Sequence, residues 1–174
     1  MHKSYIVDPE TGKLLTAQEW KDKAGDNVKS VKMVAIVPED GTPFAFPVEV
    51  FDDRDWSAAM ELAEAYKAPH AIEGSDGAFT LPTRKQGLDF RIARESGLEQ
   101  LLEMIGADEL LEQLRCNWTW TREKYVPRGT SEDEWSCVLN SSTAAWTYYN
   151  SGMSISTAFS NSFTVRPVTL LKLS

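Results

Sequence analysis

The order of apolar and polar positions divides the chain into regions of different character. Residues 1–30 are polar and charged, with a turn signal at Asp8-Pro9-Glu10-Thr11-Gly12. They predict a lead-in segment with at most a short strand, Tyr5-Ile6-Val7, and a short helical turn over 17–23. Val31-Lys32-Met33-Val34-Ala35-Ile36-Val37 is β-branched and apolar and reads as a strand. Glu39-Asp40-Gly41-Thr42 supplies a turn, and Phe44-Ala45-Phe46-Pro47-Val48-Glu49-Val50 answers as the return strand of a hairpin. Pro47 cannot donate to a ladder, which puts that strand at an edge or beside a bulge.

A helical period follows. Asp55 is placed to cap a helix that carries Trp56, Ala59, Met60, Ala63 and Tyr66 on one face, with Pro69 and Gly74 ending it. Thr83-Arg84-Lys85-Gln86 has capping-box spacing and predicts a second helix over 84–95. Ser96-Gly97-Leu98-Glu99 repeats that spacing and predicts a separate helix over 98–105; Gly106 interrupts it, and 107–114 adds another turn or two.

Beyond these helices the alternation becomes that of strands. Trp118-Thr119-Trp120-Thr121 reads as one strand, and the segments 135–139, 145–149 and 163–168 as three more. A polar loop over 127–134 and a turn at Asn150-Ser151-Gly152 separate them. Strand alternation puts Trp146 and Tyr148 on one face and Tyr149 on the other, with Trp146 the core residue. Hairpin, two or three helices, then a β-rich half is the order of an α+β fold. No repeat or linker divides it, so the reading is a lead-in over 1–30 and one domain over 31–174.

Composition sharpens this picture. The chain has 174 residues, 42% of them hydrophobic, enough for one packed core. Its net charge of −8 repels phosphate, so nucleic acid and anionic membrane surfaces are poor partners. No apolar run approaches the length of a membrane-spanning helix, so no membrane insertion is expected. The first residues lack the apolar core of a signal peptide. The expected location is cytoplasmic or particle-associated, with secretion left open.

Catalytic and metal chemistry find little footing. The two histidines are expected in a frayed terminus (His2) and in a solvated or capping role after Pro69 (His70). Cys116 and Cys137 lack metal-ligand spacing and read as half-buried free thiols, a disulfide being the minor alternative. Gly74-Ser75-Asp76-Gly77 reads as a turn, and Glu132-Asp133-Glu134 as a solvated loop. No catalytic residue, metal site or cofactor is assigned.

The segment 140–165 is unusual because it holds no charged residue. It is built from Ser, Thr, Asn, Tyr and Trp with a few small apolar residues. Two readings fit: a Ser/Thr-rich sheet with an aromatic core, or a recognition surface in which neutral side chains hydrogen-bond and aromatic rings supply contact area.

Three stretches carry a family resemblance. Phe79-Thr80-Leu81-Pro82-Thr83-Arg84-Lys85 resembles the segment that opens the second helix of bacterial C-type-lectin-like domains. Trp118-Thr119-Trp120-Thr121-Arg122-Glu123 is similar to their tryptophan-bearing strand. Ala145-Trp146, Gly152 and Phe163-Thr164-Val165-Arg166-Pro167-Val168 are similar to their terminal pattern. The resemblance spans roughly 30–170 and implies a C-type-lectin-like fold. It further implies one of three roles: a ligand-binding or adhesion module of bacteria or phages, a variable protein of a diversity-generating retroelement, or a relative of the formylglycine-generating enzymes. The Glu-Pro-Asn and Trp-Asn-Asp motifs of calcium-dependent sugar binding are absent from the sequence, as is a match to the paired-cysteine copper site of the oxidases. The loop over 124–134 is longer than the common pattern.

The resemblance makes Leu81-Pro82-Thr83 and Val165-Arg166-Pro167 structural, with Arg166 expected to pair with a carboxylate or carbonyl and close the domain. It places ligand contacts at Tyr149, Asn150, Ser154, Ser156, Ser160 and Asn161. The expected function is non-catalytic recognition of a protein or glycan on a cell surface, in a phage or mobile-element setting. The rivals are an assembly protein of such a particle and, third, an enzyme of the formylglycine-generating type or a hydrolase.

Overall fold

A computed structural model describes residues 1–125, 144–148, 154–158 and 160–174. The chain is α+β. In order it forms β1 (Lys3–Val7), β2 (Leu14–Leu15), α1 (Ala17–Ala24), a 3-10 stretch (Gly25–Ser30), β3 (Met33–Val37), β4 (Phe44–Pro47) and α2 (Trp56–Ala65). Then come α3 (Arg84–Ala93), a π-helical stretch (Arg94–Leu98), α4 (Glu99–Met104) and α5 (Asp108–Cys116). β5 (Thr119–Tyr125), β6 (Ala144–Tyr148), β7 (Ser154–Ala158) and β8 (Thr169–Leu170) complete it. Among the described residues, one antiparallel sheet has the order β2-β1-β3-β4-β8 and a second has β5-β6-β7.

The first sheet is covered on both faces. Ile6, Val34, Ile36, Phe44 and Phe46 meet Phe90, Leu98, Leu102 and Leu110 from the helices. The Phe90 ring lies edge-on to Phe44 and Phe46, with centroids 5.3 and 4.8 Å away. On the other face Val7, Met33, Ala35 and Ala45 meet Ile72, Phe79 and Leu171. Burial of both parities is why β3 reads as an unbroken apolar run rather than an alternating one.

The hairpin forms in the expected place, pairing Met33 with Pro47 through Ile36 with Phe44. Pro47 sits where β8 no longer accompanies β4, since β8 pairs only with Phe44 and Ala45. β1 extends one turn of the pleat further than the sequence suggests and lies between β2 and β3, with Lys3 opposite Val37. Its Ile6 and the Trp20 of α1 enter the same core as α3 and α4.

That strand pairing corrects the reading of His2. It is buried rather than frayed, because the ladder carries it to the β3–β4 turn and to α3. Its Nδ1 accepts from the backbone N–H of Glu39 at 3.4 Å, so Nε2 is the nitrogen that donates to Asp89 Oδ1 at 2.8 Å.

α2 begins at Asp55, whose Oδ1 accepts from the Ala58 N–H at 2.9 Å. α3 opens with a complete capping box: Thr83 Oγ1 accepts from Gln86 N at 3.1 Å, and Gln86 Oε1 from Thr83 N at 2.8 Å. The second box does not form. Ser96 Oγ donates to Ile92 O at 2.7 Å instead of capping, yet the helix does kink at Gly97, whose backbone is non-helical, before α4. Gly97, at φ +120°, makes that kink while Leu98 stays in the core.

The segment 163–168 is not one strand. Phe163 bridges Arg54, Thr164 bridges Thr119 in parallel, and Val168 bridges Thr80. Pro167 has no N–H for a continuous ladder, and the buried Arg166 beside it requires acceptors from several directions. Cys116 is an exposed free thiol at the end of α5, not a half-buried one. The side-chain hydrogen bond to Glu112 pushes its pKa up. The readings at 127–134, 135–139, Cys137, Tyr149 and the 150–152 turn lie outside the described residues. Among the described residues no helix is long and apolar enough to cross a membrane.

Candidate functional site

The second sheet is built outward from β5. Trp120 is fully buried with Ala59, Ala63, Leu81 and Val165, and its ring meets Phe163 edge-on at 5.1 Å. Its indole N–H donates to Arg54 O at 2.8 Å, and the Trp56 indole to Thr121 O at 2.9 Å. The free edge of β5 is tied down by backbone. Trp120 N donates to Thr164 O and Thr164 N to Trp118 O, both at 3.1 Å, and Arg122 N donates to Pro82 O at 2.9 Å. The three stretches on which the resemblance rests therefore converge: Leu81-Pro82, 118–122 and 163–165.

β6 joins this strand with Thr119 opposite Tyr148 and Trp120 opposite Thr147. The next pairs are Lys124 with Ala145 and Tyr125 with Ala144, so β5 carries two extra residues at a bulge between Trp120 and Lys124. β7 then pairs with β6 without a shift: Ala144 with Ala158, Trp146 with Ser156, Tyr148 with Ser154. In an antiparallel ladder, opposed residues share a face. Trp146, Tyr148, Ser154 and Ser156 thus have one parity, as the alternation predicts for Trp146 and Tyr148. Thr147 and Ile155 have the other, the parity that continues to the buried Trp120. Thr119, opposite Tyr148, is buried as well, so both parities of β5 are covered there.

Four of the six expected ligand positions lie in described residues. Ser154 and Ser156 belong to β7, while Ser160 and Asn161 are exposed in the turn after it. The Asn161 N–H donates to Ala158 O at 3.1 Å and closes that turn. Tyr149 and Asn150 lie outside the described residues. Charge stops at β5. There Lys124 Nζ lies 5.7 Å from the centre of the Trp56 ring. The Glu123 carboxylate accepts from the Arg84 N–H at the start of α3, a favourable place for an anion. The sequences of β6 and β7, AAWTY and SISTA, contain no ionisable group that titrates near neutrality.

Two polar clusters escaped the sequence reading. Asp89, buried in α3, accepts from His2 and from Lys85 Nζ at 2.7 Å, and Lys85 also reaches Asp40 O at 2.9 Å. This joins β1, the hairpin turn and α3 at one carboxylate. Only the i,i+4 spacing of Lys85 and Asp89 was visible beforehand. Glu99 is bound by Arg115 and Arg94, and the Arg115 hydrogen bond is the main cause that holds its carboxyl below the usual range. Both clusters tie elements together. Among the described residues no group of three or more His, Cys, Asp or Glu side chains converges as a metal site.

A cavity of about 770 Å³ lies elsewhere, among Val48, Val50, Tyr66, Lys67, Ile105 and Leu110. Burial pushes the Tyr66 hydroxyl up to about 12, so it stays protonated there. The comparisons find no protein family, no curated protein and no solved structure that matches the chain.

Proposed function

We propose that this chain is a non-catalytic recognition module with a C-type-lectin-like fold. It takes a protein or glycan ligand of a cell surface on the uncharged face of β6, β7 and the turn after them. A phage or mobile-element setting fits this role. The observation that carries the reading is the register of β6 and β7. It sets Ser154 opposite Tyr148 and Ser156 opposite Trp146, on strands without charge. Neutral hydroxyls beside aromatic residues suit a ligand bound by stacking and hydrogen bonds, and cost little desolvation of charge. β5, anchored through two indole N–H groups and three backbone bonds, supplies the rigid base that such a surface needs.

The test is a binding screen of the purified protein against bacterial envelope glycans and surface proteins, with calcium and with chelator. Ser156→Lys, which puts a charge among the neutral positions, runs beside the parent. The expected result is a ligand that binds equally well in chelator and at least about tenfold more weakly to the variant, a loss of about 1.4 kcal/mol. Binding that needs calcium, or that Ser156→Lys leaves unchanged, overturns the assignment. No ligand together with a concentration-dependent oligomer favours the assembly protein instead.

A further inference from the structure

We draw no further inference here: the strongest candidate, the cavity between the segment after β4 at Val48 and Val50, Tyr66 and the N-terminus of α5, has three lysines and three carboxylates among its lining residues beside apolar ones, and nothing in the structure shows what covers it.

Discussion

Arg166 holds a guanidinium in the interior at 1% exposure. Nη1 donates to Glu49 O at 3.1 Å and Pro47 O at 3.4 Å, and Nη2 to Gln113 Oε1. One side chain thus joins the end of β4, helix α5 and the segment leading to β8. Arg166→Ala strands those acceptors and opens a void; the expected loss is about 3 kcal/mol, read as a lower urea midpoint with an unchanged slope. Lys cannot reproduce the planar fork, so Arg166→Lys should recover only part of it. Asp8 acts at the same scale. Burial raises its pKa, but hydrogen bonds from Lys23, Thr11 and the Glu10 N–H outweigh that and bring it from 3.8 to about 2. A depressed carboxylate stabilises the fold above its unfolded pKa. This contribution is therefore complete above about pH 5, declines through pH 4 and is gone below about pH 2. Unfolding midpoints measured across pH 2–6 should fall more steeply for the parent than for Asp8→Asn, which starts roughly 2 kcal/mol lower at neutral pH.

At the scale of elements, the helical region shows a local signal that is realised only in part. The spacing Ser96-Gly97-Leu98-Glu99 resembles the box that does form at Thr83, yet Ser96 caps nothing and the break there is a kink at Gly97. Leu98 and Leu102, just past the kink, are both fully buried. Gly97 adopts φ +120°, with open space where a Cβ would stand. Gly97→Ala therefore tests backbone strain apart from packing. It should cost about 1 kcal/mol or more, seen as a lower thermal midpoint with no change in the near-ultraviolet signal of the tryptophans. The Thr83 box was legible because all its partners lie within four residues. The destination of 163–168 was not. Its three bridges go to Arg54, Thr119 and Thr80, and no short window of sequence contains those partners.

At the scale of the whole molecule, the sheet of β2-β1-β3-β4-β8 with its helices forms the main packed body, and β5 carries a second sheet beside it. The chain has a net charge of −8, while 140–165 has none. If that stretch binds the ligand, charge contributes little at the contact, and affinity for a neutral glycan should change less than about twofold between 0.05 and 0.5 M salt. Titration calorimetry across that range checks it; a steep fall with salt would place the contact on the charged β5 side, near Arg122 and Lys124.

What the sequence determined by itself is what short-range chemistry controls. The β3–β4 hairpin follows from an apolar run, a turn and a second run. The starts of α2 and α3 follow from Asp55 and from Thr83 with Gln86. The α+β order and the loss of charge after Lys124 and the 127–134 segment are likewise properties of the string itself. Tertiary structure decided the rest. Polar His2 became an inner residue because β1 inserts between β2 and β3 and brings it to Asp89, 87 positions away in sequence. Arg166 found carbonyls and an amide from segments distant in the chain. The alignment of Ser154 and Ser156 with Tyr148 and Trp146 depends on the register in which β7 pairs with β6. Alternation states that a strand has two faces; which residue of another strand stands opposite each position is decided only when the strands pair.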